Sequence, residues 1–247
     1  FRHVSFRYPG AEEDVLHDLS FTAESGSTTA FIGSTGSGKS TLINLVPRFF
    51  DVSEGEILVD GVDVRNVAQH DLRERIGYVP QKGYLFSGTI ESNLRYAKEE
   101  ASEEDLREAA QTAQAMEFIE GKPKGFQTEI AQGGTNVSGG QRQRLSIARA
   151  LVKKPEIFIF DDTFSALDFK TDASLRKALG ELCEQTKCTV LLVAQRISSI
   201  MHADRIVVLD QGAIVGIGTH EELMDSCDVY REIAFSQLSK EELGHEQ

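Results

Sequence analysis

The stretch Gly33-Ser34-Thr35-Gly36-Ser37-Gly38-Lys39-Ser40 constrains this chain more than any other part of it. It follows the apolar run Thr29 to Ile32 and leads into Thr41-Leu-Ile-Asn-Leu-Val46, the order strand, glycine loop, helix. Its spacing is G-x-x-x-x-G-K-[ST], in which glycines let backbone N–H groups turn inward around a phosphate at a helix start. In that pattern Lys39 reaches the terminal phosphates of a nucleotide, and the Ser40 hydroxyl ligates Mg²⁺. A glycine-rich turn formed by chance is the competing reading, and the strand before the loop and the helix after it count against that.

The rest of the chain reads as an α/β arrangement. Strands are expected at Val4 to Tyr8, Leu19 to Ala23, Thr28 to Ile32 and Glu56 to Val59, the last before the Asp60-Gly61 turn. From about residue 88 to 152 the pattern turns helical. Ser102-Glu-Glu-Asp105 reads as a capping box opening a helix through Met116, and a second helix runs from Ser138 toward Val152. Strand and helix alternation resumes after Pro155, with buried parallel strands expected at Ile157 to Phe160, Thr189 to Ala194 and Arg205 to Leu209. The polar tail after Ser239 is expected to fray.

Composition narrows the function. A net charge of −13 over 247 residues argues against nucleic acid as the main partner, because backbone phosphates are bound by clustered Lys and Arg. No apolar stretch is long enough to span a bilayer and no signal peptide opens the chain, so a soluble domain is expected. A start at Phe1, already inside a β-like alternation, reads as a fragment of a longer polypeptide. Cys183, Cys188 and Cys227 lack metal-ligand spacing and read as free thiols in a reducing cytosolic compartment.

Two further motifs carry chemistry. Ile157-Phe-Ile-Phe160-Asp161-Asp162 sets two carboxylates at the end of a buried strand, where Asp161 can hold Mg²⁺ through its water shell or cap the following turn. Ser138-Gly139-Gly140-Gln141 opens a helix and reads either as a second anion site or as an ordinary serine cap. One nucleotide does not obviously need both loops.

With these motifs in this order, the chain resembles the nucleotide-binding domain of ATP-binding cassette (ABC) transporters over essentially its whole length, residues 1 to 247. The resemblance implies a P-loop NTPase core with a mainly parallel sheet, an antiparallel β subdomain and a helical subdomain inserted at about 88–152. It implies ATP and Mg²⁺ as cofactors and a head-to-tail dimer enclosing two ATP molecules. In such a dimer the phosphate loop Gly33 to Thr41 holds one ATP, and Ser138 to Gln141 complete the partner's site. It further assigns Tyr8 to stacking on adenine, Gln81 to linking Mg²⁺ with the membrane domain, and Ser165-Ala-Leu-Asp168 to the loop between domains. Tyr8 as a core aromatic and Gln81 as a solvated amide remain open on the residues alone. His220, at a helix start, reads as structural. Arg7-Tyr8-Pro9 and Leu85-Phe86-Ser87-Gly88-Thr89-Ile90 resemble exporters, whose domain follows a transmembrane segment on the same polypeptide at the cytoplasmic face of the membrane.

The chain departs from the family pattern at two places in one site. Asp162 stands where the family carries Glu to polarise the attacking water, one methylene shorter. Gln195 stands where a switch histidine contacts the γ-phosphate, and an amide donates a hydrogen bond without becoming cationic. Ser138 to Gln141 is nearly intact, with Val137 replacing the usual leucine, while Gln132 replaces a Glu often placed against the membrane domain. The pattern resembles the degenerate-site subunit of a heterodimeric exporter, so a second, different ABC subunit is favoured over a homodimer. A soluble non-transport ABC ATPase and a non-hydrolysing module dimerised by ATP are the alternatives.

Overall fold

The computed structural model describes residues 1–237, and the tail expected to fray after Ser239 lies outside them. In chain order the elements begin with β1 (Arg2–Phe6), β2 (Leu16–Leu19), β3 (Thr28–Gly33) and α1 (Lys39–Leu45). Then come β4 (Glu54–Glu56), β5 (Leu58–Val59), β6 (Val62–Asp63), α2 (Gln69–Glu74) and β7 (Ile76–Val79). A mainly helical stretch holds β8 (Gly88–Thr89), α3 (Ile90–Arg95), α4 (Glu103–Thr112), α5 (Met116–Glu120), β9 (Glu129–Ile130) and α6 (Gly139–Val152). The chain continues through β10 (Ile157–Asp161), α7 (Phe169–Thr186), β11 (Thr189–Val193), β12 (Arg205–Asp210), β13 (Ala213–Gly218), α8 (His220–Ser226) and α9 (Asp228–Gln237). These elements form two units, one from Phe1–Ile76 with the chain from Thr189 onward, the other Gly77–Cys188.

In the first unit β3 lies between β11 and β12, parallel to both, and β13 closes the edge antiparallel to β12. Such a strand is covered on both faces, which is why it reads as a continuous apolar run. Ala30, Phe31 and Ile32 are all buried, as are Ile206 to Leu209 on β12. Each large apolar side chain so buried contributes roughly 1.5–3 kcal/mol. A second, antiparallel sheet orders β2, β1 and β4. Here the strand expected at Leu19 to Ala23 instead runs Leu16–Leu19. Pairing of Val4 with Leu19 and Phe6 with Leu16 buries both leucines, and beyond them Phe21 leaves the ladder to stack on Phe1 at 4.2 Å.

In the second unit β7 and β10 are neighbours, and α6 packs against α3 and α4. The Ser102 hydroxyl accepts the Asp105 N–H and the Asp105 carboxylate accepts the Ser102 N–H, the reciprocal cap expected there. The helix does not reach Met116. Gln114 takes a left-handed φ of 56°, ending α4 at Thr112 and starting α5 afresh. The cysteine expectation also needs correction. Lys187 turns left-handed at the end of α7 and brings the Cα atoms of Cys183 and Cys188 to 4.8 Å, where the two residues form a disulfide, while Cys227 is free and buried.

Gly77 sets how closely β7 and β10 approach, since a Cβ there would lie 2.7 Å from Pro155 Cγ and 3.2 Å from the Phe158 ring. Gly77→Ala is therefore expected to destabilise the protein by about 1–3 kcal/mol through overpacking. The midpoint of urea unfolding checks this, and an unchanged midpoint would contradict it.

Candidate functional site

The candidate residues fall into two sets, one in each unit. In the first, β3 delivers the chain into a loop whose path requires glycine. Gly33 has φ 152° and a Cβ on it would lie 1.9 Å from the Leu209 carbonyl oxygen, while Gly38 has φ 95° and a Cβ there would meet Leu16 Cδ2 at 2.5 Å. The loop closes on Lys39, the buried first residue of α1. Its Nζ donates to the Gly33 carbonyl at 2.9 Å, the Ser34 carbonyl at 2.7 Å and Ser37 Oγ at 3.2 Å. Ser34, Thr35, Gly36 and Ser40 are exposed, whereas Ser37, Gly38 and Thr41 are buried.

Tyr8 lies just beyond β1, half-buried, neither a strand-face core residue nor a free surface ring. Its hydroxyl shares a 2.9 Å hydrogen bond with Thr41 Oγ1, and its ring meets the edges of Phe6 and Phe50, with centroids 4.8 and 5.2 Å away. Gln195 follows β11 with its side chain exposed. Gln237 of α9 fixes that turn by donating to the Gln195 carbonyl at 2.7 Å and accepting the Ile197 N–H at 2.9 Å.

The second set surrounds the carboxylates at the end of β10. Asp161 is 8% exposed and Asp162 6%. Asp162 adopts a left-handed φ of 46°, turning the chain out of the strand, and its carboxylate accepts the exposed Gln81 amide at 2.9 Å. The next residue, Thr163, donates its hydroxyl to the Val79 carbonyl at 3.1 Å. Gln143 of α6 holds both ends of the Gln81 loop, donating to the Pro80 carbonyl at 3.1 Å and accepting the Gly83 N–H at 2.8 Å. Tyr78 of β7 donates its hydroxyl to Asp161. Burial first, then the charge and hydrogen bond of Asp161, push the Tyr78 phenol well above its ordinary range, so it remains a donor. Tyr78 and Gln143 were missed in the sequence, although a phenol inside a four-residue buried strand and a buried glutamine on an apolar helix face are both signals that a polar partner is near.

At α6, Ser138 Oγ accepts the Gln141 N–H at 3.1 Å while Gln141 Oε1 accepts the Ser138 N–H at 3.2 Å. Ser138 and Gly139 are exposed, Gly140 and Gln141 half-buried. Asp168 caps α7 through the Thr171 N–H, which holds its carboxyl below the usual range. His220 is buried with Nδ1 2.7 Å from the Tyr230 hydroxyl, a core contact in keeping with a structural role. The chemistry of these donors fits the expected ligands. A buried lysine ringed by glycines suits polyphosphate, and a hydroxyl, a carboxamide and a buried carboxylate are the hard oxygen donors Mg²⁺ takes.

The chain belongs to the ABC transporter family, whose model matches residues 16–165, and is an ABC ATP-binding domain. Members of that family bind ATP and are ATPases. The chain is 49% identical over 244 residues to an uncharacterised ABC transporter ATP-binding protein of Mycobacterium tuberculosis, covering 98% of this chain and 41% of that protein. It is 43% identical over 233 residues to a putative multidrug export ATP-binding/permease protein of Bacillus subtilis, covering 94% and 40%. A solved bacterial Atm1-family ABC exporter with ATP bound superimposes with a TM-score of 0.92 at 39% identity, over 97% of this chain and 42% of that one. The chain thus spans about two fifths of the length of the relatives it matches. Among the described residues, no helix is long and apolar enough to cross a membrane.

Removing the Lys39 ammonium leaves three loop oxygens without that donor and takes away the cation for phosphate. Lys39→Ala is expected to weaken ATP binding about tenfold or more, given ~1.5–3 kcal/mol for a charge-assisted hydrogen bond. Equilibrium binding of a fluorescent ATP analogue measures this, and unchanged affinity would contradict it.

Proposed function

We propose that residues 1 to 247 form the ATP-driven motor domain of an ABC exporter, with a helical subdomain at about 88–152, and that its own site turns over slowly. The observation that carries this reading is the state of Asp162. Its carboxylate is one methylene shorter than the glutamate the family resemblance leads one to expect, and it is engaged by the Gln81 amide. A displacement of about 1 Å in a positioned group can cost on the order of 100-fold in rate.

In this reading Tyr8 stacks on adenine, the loop Gly33 to Thr41 wraps the phosphates, and Lys39 neutralises charge on them. Ser40, Gln81 and Asp161 would hold Mg²⁺, which would supply further neutralisation of the phosphate oxygens. Asp162 orients the attacking water weakly, and Gln195 offers the γ-phosphate a neutral donor in place of a cation. The consequence is ATP held longer than it is cleaved.

Ser138 to Gln141 serve the ATP of a partner. The first amides of a helix have no intrahelical acceptor, so Gly139 and Gly140 can present N–H groups to an anion. A nearly intact signature, with Val137 its one departure, in a chain whose own site is weakened favours a second, different ABC subunit. The transmembrane partner is supported by an aromatic patch in the second unit, where Tyr84, Phe86 and the 70% exposed Tyr96 lie together and Arg149 sits 5.2 Å from the Phe86 ring. Similarity to putative multidrug export ATP-binding/permease proteins supports a place at the cytoplasmic face of the membrane.

ATPase assays of the chain alone and with its partner test the reading. A slow rate alone is expected, and Asp162→Glu combined with Gln195→His should raise turnover at this site by on the order of 100-fold. A fast rate from the unaltered chain, undiminished by Asp162→Asn, would overturn it.

A further inference from the structure

The segment from Tyr78 to Gln81 supplies a donor to each of the two adjacent carboxylates, Tyr78 to Asp161 and Gln81 to Asp162. The Gln81 contact involves an exposed loop residue. The Tyr78 contact is of a different kind, because it joins neighbouring strands whose approach is fixed by Gly77 and by the Thr163 bond to Val79.

A carboxylate 8% exposed at a strand end needs hydrogen bonds to remain charged, and a single half-buried phenol can both supply one and limit the rotation of the carboxyl plane. A tyrosine serving only as core volume would have its ring buried and its hydroxyl elsewhere. Tyr78 is instead half-buried between the buried Gly77 and Val79, and its hydroxyl goes to the acid.

The geometry points to Tyr78 as a positioning residue that orients Asp161 for Mg²⁺ and thereby sets how much the metal strengthens nucleotide binding. This inference rests on the reading of Asp161 as the Mg²⁺ carboxylate. Partners that orient metal ligands are worth about 10–100-fold in metal affinity. A hydroxyl that acts through Asp161 should matter only while Asp161 can accept, so the effect of its removal should vanish once Asp161 cannot.

The experiment measures the affinity of the full chain for a fluorescent ATP analogue in excess Mg²⁺ and again in EDTA, the ratio giving the gain due to metal. Tyr78→Phe, which removes one oxygen and keeps the ring, is expected to lower that gain about tenfold while leaving affinity in EDTA within about twofold. Asp161→Asn should abolish most of the gain, and adding Tyr78→Phe in that background should cost nothing more. The inference is overturned if Tyr78→Phe keeps the full gain, or if its loss is as large beside Asp161→Asn. A parallel fall in EDTA also overturns it, since Tyr78 would then support the fold rather than the metal. If Asp161→Asn itself keeps the gain, the assignment of Asp161 fails and the inference falls with it. Loss with Asp161→Asn but not with Tyr78→Phe removes the inference alone.

Discussion

The hold of three loop oxygens on the Lys39 ammonium organises the first unit. It requires the backbone to reverse through Gly33 and Gly38, in conformations that any other residue would resist and at distances no Cβ would fit. The loop is therefore tied to β12 through the close approach of Gly33 to Leu209, and to β2 through Gly38 and Leu16. β3, buried between two parallel strands, gives this loop a rigid base. A buried ammonium held inside a glycine loop at a helix start suits a polyphosphate, and the proposed ATP site is built on it.

The second unit is built around the opposite charge. Two buried carboxylates end β10, and each receives a hydrogen bond from the same short segment, while Gln143 braces the loop that carries Gln81. Because Gln143 lies two residues beyond Gln141, the helix that begins with Ser138 is physically linked to the Gln81 loop within one unit. Any movement of that helix start has a direct route to the neighbour of Asp162.

Much of this was legible in the sequence for physical reasons. The phosphate loop announces itself because glycine at fixed offsets is the only way to follow its path, and the strands β3, β10, β11 and β12 because burial on both faces demands unbroken apolar runs. The caps at Ser102 and Ser138 were readable because the reciprocal bonds span three residues. What escaped depends on distant partners. The shift of β2 to Leu16–Leu19 follows from its register with β1, and the break at Gln114 from one left-handed residue that composition does not mark. The Cys183 and Cys188 pairing needs the turn at Lys187, and the roles of Tyr78 and Gln143 need to be seen beside their acceptors. The division of labour implied by Asp162 and Gln195 came from residue identity set against the family pattern, and the geometry adds the Gln81 contact to it.

The account turns on this site holding ATP without cleaving it promptly. The most direct measurement follows radiolabelled ATP bound to this chain while the assembled transporter turns over, by rapid filtration and separation of the bound nucleotide. The account predicts that nucleotide recovered from this site remains triphosphate through many cycles of the complex. Conversion to diphosphate at this site in step with overall turnover would contradict it.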